Sequence, residues 1–259
     1  MEVIHGSIYD FPKYYDVLFG SDWKAEYDFL LGCFEKHGRA DTRRLFEPAC
    51  GTGRLLVKFA KAGYDVAGLD LNEKAVEYCN ARLARHGLVP AAFVADMADF
   101  RLRRKVDAAF NTINSFRHLQ SEEEARRHLR CVAAAVRKGG IYVLGFHLTP
   151  TSAPTCDEES WAARKGDLGV TSRMWTIERN LRARREWVGM TFDVYTPTRQ
   201  MRLSDEIVFR TYRAAQFDAL LRKVPEWERA AVYDFAYDLR KEIRLDGATE
   251  DVVFVLKKR

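Results

Sequence analysis

The chain has 259 residues, 47% of them hydrophobic, and a formal net charge of +5. That is enough apolar material for a full core, and no stretch approaches the ~20 apolar residues a membrane helix needs. Cys33, Cys50, Cys79, Cys131 and Cys156 are odd in number and scattered, with no CxxC pair. His128 and Cys131 share a helical face but lack a second pair to complete a zinc site, so no metal is expected. The opening Met-Glu-Val-Ile-His-Gly has neither the basic start nor the apolar run of a secretory leader, which points to a reduced, cytoplasmic chain without a membrane partner.

In chain order, residues 1–40 read as an N-terminal helical cover, carrying the aromatic-rich run Ile8-Tyr9-Asp10-Phe11-Pro12-Lys13-Tyr14-Tyr15-Asp16-Val17-Leu18-Phe19. Leu45 and Phe46 then close an apolar strand with Glu47 at its carboxyl end. Gly51 and Gly53 form a tight turn, and Arg54 to Ala62 begin a helix. Glycine lets backbone approach a ligand closely, and a helix amino end points free N–H groups at the turn. Tyr64 to Leu69 is a second strand ending in Asp70, placed to bind ribose hydroxyls some 20 positions after the glycine turn. Asn72 caps a helix over Glu73 to His86. Ala91 to Ala95 is a third strand, ending in Asp96-Met97, and Val106 to Phe110 a fourth, ending in Asn111. Ser121 and Glu124 make a capping box for a helix reaching about Val136. Gly139-Gly140 break it before a buried fifth strand, Ile141 to Phe146.

A nucleotide-type ligand at the mouth of a parallel sheet follows from this series. A dinucleotide fingerprint would need a third glycine where Leu56 stands, and the Glu47 carboxylate suits an ammonium group better than a pyrophosphate. The motif Glu47-Pro-Ala-Cys-Gly51-Thr-Gly53, with acidic or polar residues at four successive strand ends, resembles the class I S-adenosylmethionine-dependent methyltransferases over about residues 44–148. The resemblance implies a doubly wound, mostly parallel seven-stranded α/β sheet and S-adenosylmethionine as cofactor. It implies a cofactor site built from Tyr14, Tyr15, Glu47, Ala49, Gly51, Gly53, Asp70, Leu71, Asp96, Met97 and Asn111. Asp70 and Asp96 also read as an ordinary helix cap and a polar loop, and Cys50 as a small buried residue.

Beyond the core (41–148) the pattern changes. Residues 151–168 read as a loop. From Val170 to Arg210 the apolar period is two: Trp175, Ile177 and Leu181, then Val188, Met190, Phe192 and Val194, then Met201, Leu203, Ile207 and Phe209. Three antiparallel strands, with Thr196-Pro-Thr as one turn, make 151–210 an inserted β lid over the strand ends, or else a homodimer contact. Residues 211–259 supply a helix, Ala214 to Lys223, and a terminal hairpin of Glu228 to Tyr237 and Asp251 to Leu256 turning at Asp246-Gly247. No linker or repeat divides the chain, so it reads as one domain.

The Tyr-Tyr-Asp lead-in and Asn114-Ser-Phe-Arg-His118-Leu119 are similar to segments of sugar-amine and glycine/sarcosine-type N-methyltransferases. In those relatives the lead-in folds over the cofactor, and the resemblance assigns Tyr14 to orienting the reactants and His118 to the role of base. His147, at the end of the fifth strand, is the reserve. The acceptor implied is a small molecule bearing an amine or a hydroxyl. Arg101, Arg103, Arg104 and Lys105, and Arg179, Arg182, Arg184 and Arg185, read as solvated surface, with phosphate contacts the alternative. The Asn111-Thr-Ile-Asn loop lacks the Asn/Asp-Pro-Pro-aromatic signature of base-amine methylating enzymes, which weighs against nucleic acid. A silent cofactor-binding partner subunit, or a methyltransferase acting on protein or RNA, is the alternative reading.

Overall fold

The computed structural model describes residues 2–259; Met1 lies outside them. Strand β1 (Glu2–His5) is followed by a 3₁₀ turn (Ile8–Asp10), α1 (Pro12–Phe19) and α2 (Lys24–His37). The core then runs β2 (Arg44–Pro48), α3 (Leu56–Lys61), β3 (Asp65–Asp70), α4 (Glu73–Ala84), β4 (Ala92–Val94), β5 (Val106–Asn111), α5 (Glu122–Ala135) and β6 (Val136–His147). Four long strands follow, β7 (Glu158–Lys165), β8 (Leu168–Asn180), β9 (Arg185–Tyr195) and β10 (Gln200–Arg210), then α6 (Ala214–Arg222), β11 (Trp227–Tyr233) and β12 (Asp251–Lys258). No helix among the described residues is long and apolar enough to cross a membrane.

The central sheet has seven strands in the order β11-β12-β6-β5-β2-β3-β4, parallel except for the β11 and β12 edge. Its central strands β2, β5, β6 and β12 are largely buried, and side-chain alternation divides the core in two. Phe46, Ala109, Tyr142 and Leu144 pack under α5 and α6, while Leu45, Ala108, Phe110, Ile141 and Val143 pack under α2 and α3. Asn72 caps α4 by accepting from Ala75 N, and Ser121 with Glu124 closes the capping box of α5.

A second, five-stranded sheet has the order β1-β10-β9-β8-β7. Here the structure corrects several expectations. Residues 158–165 are not loop but an edge strand paired with β8, because Glu158 to Lys165 alternate weakly yet fit its register. The amino terminus is not helical throughout: β1 pairs in parallel with β10, from Glu2 against Met201 to His5 against Ser204. On β8 the inward phase is Val170, Ser172 and Met174, whereas Ile177, and Leu181 just past the strand, are exposed. An irregularity between Thr176 and Glu178 breaks the alternation there. The two glycines at 139 and 140 lie within β6 rather than before it. Gly140 has no room for a side chain, since a Cβ would stand 2.3 Å from Asp107 O. The last strands are joined by residues 234–250 and not by a tight hairpin, although Asp246 does turn the chain, its Oδ1 accepting from Ala248 N and Thr249 N at 2.9 Å.

Candidate active site

A cavity of about 1100 Å³ opens between the carboxyl ends of the central strands, the N-terminal cover and the second sheet. Strand ends in α/β folds converge there by topology, and each contributes a polar group.

At the ends of the paired strands β2 and β5, Glu47 and Asn111 both line the cavity. Both are buried, and Glu47 Oε2 and Asn111 Oδ1 have no hydrogen-bond partner. Asn111 Nδ2 donates to Pro48 O at 2.7 Å, which fixes the amide so that its oxygen is the free atom. Burial drives the Glu47 carboxyl well above its ordinary pKa, against the pull of Arg54. Two unpartnered buried acceptors in one cavity lining call for hydrogen-bond donors on whatever binds there.

Asp70 holds the glycine turn: its Oδ2 accepts from Gly51 N at 2.8 Å and its Oδ1 from Asn72 N at 2.9 Å. Burial raises its pKa although those amides favour the carboxylate. Each oxygen retains a lone pair for a ribose hydroxyl. Gly51, at φ +51°, would present a Cβ to open space, so a ligand can lie on its backbone. Ala49 also takes a left-handed φ of 54° and lines the cavity. Leu71, Asp96 and Met97 complete this end, with Asp96 Oδ1 accepting from Ala98 N at 2.7 Å.

Gly53 lies outside the lining. Its φ is +68°, and a Cβ there would fall 2.3 Å from Cys79 Sγ, so this glycine lets the turn pack on α4. Cys50 is a buried free thiol whose pKa is pushed well up, first by its hydrogen bond with Cys79 and then by burial. Tyr14 lies outside as well, stacked on Phe11 at 6.2 Å in the core beneath the second sheet. Tyr15 and Tyr9 occupy the wall instead, with ring centroids 5.7 Å apart. Adjacent helical residues point about 100° apart, so Tyr14 and Tyr15 cannot both face inward.

His118 lines the middle of the cavity, its Nε2 3.1 Å from the Tyr9 hydroxyl. Burial, and then Arg117, push His118 down to about 4, which keeps the ring neutral. His147 also lines the cavity and stands 3.5 Å from Asp251 Oδ1, likewise pushed by burial to about 4. Sequence reasoning missed Tyr9, the buried Arg117–Glu186–Arg179 group and the carboxylates Glu159, Glu250 and Asp251. Glu250 and Asp251 were within reach of an argument: β12 runs antiparallel to β6, so its start must lie beside His147.

The arginine clusters separate. Arg101 to Lys105 precede β5 at the amino edge of the sheet, away from the cavity, with Arg104 4.0 Å from Asp65. Arg179, expected in solvent, lines the cavity and pairs with Glu186 and, at 2.9 Å, with Asp157. Arg184 folds over the Tyr212 ring at 4.9 Å. Among the described residues, no group of three or more His, Cys, Asp or Glu side chains is placed to hold a metal ion.

Residues 46–140 match the family described as "Methyltransferase domain". A dTDP-3-amino-3,4,6-trideoxy-alpha-D-glucopyranose N,N-dimethyltransferase of Streptomyces venezuelae is 31% identical over 143 residues, covering 55% of this chain and 57% of that one. A glycine/sarcosine N-methyltransferase of Parasynechococcus marenigrum is 32% identical over 148 residues, 53% of this chain and 49% of that one. The chain thus spans about half the length of these relatives. Among solved structures, an S-adenosylmethionine-dependent methyltransferase of Clostridium acetobutylicum superposes with a TM-score of 0.78 at 17% identity, covering 96% of this chain and 97% of that one. An amino pentose methyltransferase of Micromonospora echinaspora, solved with S-adenosylmethionine bound, gives 0.74 at 20% identity and covers 100% of both chains. The fold is that of the class I methyltransferases. Within it, residues 46–140 carry the match to the methyltransferase domain.

Proposed function

We propose that the protein transfers a methyl group from S-adenosylmethionine to the nitrogen of a small amine. The observation that carries the acceptor class is the charge of the cavity. Eleven of its lining residues bear carboxylates and only three bear guanidinium groups, in a chain whose net charge is +5. Each of the three is already paired: Arg54 with Glu26 at 2.5 Å, Arg117 with Glu186, and Arg179 with Glu186 and Asp157. A site with this surplus attracts cations and repels phosphates, which favours an amine over a nucleic acid or phosphorylated acceptor. It also favours the small-molecule reading over the protein or RNA one, since no arginine at the cavity is free.

The cofactor supplies a methyl group already activated on a sulfonium. Glu47 and Asn111 would hold the ammonium of its methionine part, Asp70 its ribose, and Leu71, Asp96 and Met97 its base. The chain's remaining task is alignment of the acceptor lone pair behind the methyl, worth about 7–11 kcal/mol of barrier. Tyr9, Tyr15 and Phe209 narrow the cavity around His118, where the acceptor nitrogen belongs. Burial keeps the Tyr9 hydroxyl protonated, so it can take a proton leaving the amine only as it gives its own to His118 Nε2 along their shared hydrogen bond. Glu159, Glu250 and Asp251 beyond them, raised by burial and then by neighbouring carboxylates, favour an ammonium at the entrance.

Calorimetric titration with S-adenosylmethionine, repeated on Asp70→Ala, tests the cofactor. Methyl transfer is then screened over amines, their hydroxyl counterparts and phosphorylated amines. Binding lost in the variant, with activity confined to amines, is the expected result. Binding of NADH instead, or transfer to hydroxyl compounds alone, would overturn the reading.

A further inference from the structure

A second cavity, of about 210 Å³, lies behind the glycine turn and is lined by Asp16, Tyr78, Arg82, Arg85, His86 and Lys165. Three pieces of the molecule meet there: α1 of the cover, the carboxyl end of α4, and the end of β7 in the second sheet. Asp16 is the single carboxylate in the lining and is heavily shared. Its Oδ1 accepts from Arg82 at 2.5 Å and Thr52 at 3.3 Å, and its Oδ2 from Tyr78 at 3.2 Å, with Lys165 3.9 Å away. Arg85 lies over the Tyr78 ring at 5.9 Å, and its charge meets no carboxylate within ion-pair distance among the described residues. Lys58 and Lys61 on α3 add to the field. Fully exposed as it is, His86 is pushed down by Lys61 first and by Arg82, Arg85 and Lys58 besides, the mark of positive charge without counter-charge.

We infer that this cavity binds a phosphoryl group of a small phosphorylated molecule, and that the bound anion clamps the cover and the second sheet onto the cofactor site. The volume suits one phosphoryl group with a small substituent. Arg85 and His86 on one side and Lys165 on the other supply the charge-assisted donors such a group takes. Lys165 reaches the seam from the far sheet, so an anion held between it and Arg85 ties the two bodies together. Asp16, which accepts from Thr52 Oγ1, connects this cavity to the glycine turn. Binding at the cavity stands independently of the proposed methyl transfer; only its effect on cofactor affinity rests on that reading.

The test uses the full chain with inorganic pyrophosphate as probe and sodium chloride at equal ionic strength as control. The His86 ring is followed by proton NMR, assigned through His86→Gln. Expected is a saturable shift with the His86 pKa moving upward, abolished in Arg85→Ala and in Lys165→Ala, two exposed positions. S-adenosylmethionine affinity, measured by calorimetry, should tighten about fivefold or more when pyrophosphate is present. An equal response to chloride, or a response retained in Arg85→Ala, would overturn the site. Saturable binding that leaves a measurable cofactor affinity unchanged would overturn the clamp. Absence of any cofactor binding in either condition would overturn both the clamp and the proposed function, and the NMR titration would still decide the site.

Discussion

The Tyr9 hydroxyl of the N-terminal cover meets His118 Nε2 of the loop after β5 at 3.1 Å, across 109 positions of sequence. One comes from the segment that closes the cavity and the other from its floor, so the pair forms only when the cover is in place. Replacing His118 with Ala should lower kcat by about 10²-fold or more, as loss of a proton acceptor does. Tyr9→Phe should lower it less and raise the acceptor KM. The kcat/KM profile of the wild type should show no histidine inflection near 6.5, because the ring is neutral down to about 4. Steady-state kinetics from pH 5 to 9 checks both; an unchanged kcat in His118→Ala would remove this residue from the chemistry.

If Glu47 holds the cofactor as proposed, binding is linked to a proton. Burial holds its carboxyl well above the ordinary value, and an arriving ammonium favours the carboxylate. Binding should therefore release a proton and strengthen as pH rises. Calorimetry in buffers of different ionisation enthalpy should give different heats for the wild type and equal heats for Glu47→Gln, which should also bind at least about tenfold more weakly.

The two motif glycines should fail differently. Gly51→Ala meets nothing within 4 Å, so the protein loses only the left-handed backbone cost, about 1–2 kcal/mol, while a methyl group intrudes on the cofactor surface. Gly53→Ala drives a methyl into Cys79 Sγ and should cost several kcal/mol, partly recovered by Cys79→Ala. Urea midpoints set beside cofactor titrations separate the two cases. Equal loss of stability in both variants would contradict the assignment.

Three histidines, His128 buried and His118 and His147 partly so, set an acid limit. His118, His128 and His147 are held at about 4 against an ordinary 6.5, burial being the first cause in each. The unfolded chain binds their protons first, so the stability they contribute is complete above pH 6.5 and is lost as pH falls from there toward 4. Each adds a slope of up to about 1.4 kcal/mol per pH unit within that window, offset in part by Glu47, whose raised pKa acts in the opposite sense. His128→Gln should flatten the fall in urea midpoint between pH 6.5 and 4.5. An equally steep fall would show that other groups govern it.

The strand-end residues that line the cavity were legible because each lies next to its own strand. Glu47, Asp70, Asp96 and Asn111 needed only local periodicity and strand order. What was not legible depended on distant pairing. Strand β1 has four residues and finds its partner nearly 200 positions away, and β7 is an exposed edge whose one-sided burial hardly alternates. The irregularity at Thr176 moved Ile177 and Leu181 out of phase. Choosing among Tyr9, Tyr14 and Tyr15 required the direction of α1 against the second sheet, which spacing within the segment does not contain.

The pairing of β1 with β10, with Ile8 N donating to Asp205 Oδ2 at 3.0 Å, joins the cover to the second sheet. Asp10 and Asp16 tie the same cover to the cofactor side through Asn72 and Arg82. A movement of the cover therefore opens both sides of the cavity together. An amine able to accept two methyl groups would leave after the first transfer and return for the second, so singly methylated product should accumulate in solution ahead of the doubly methylated one.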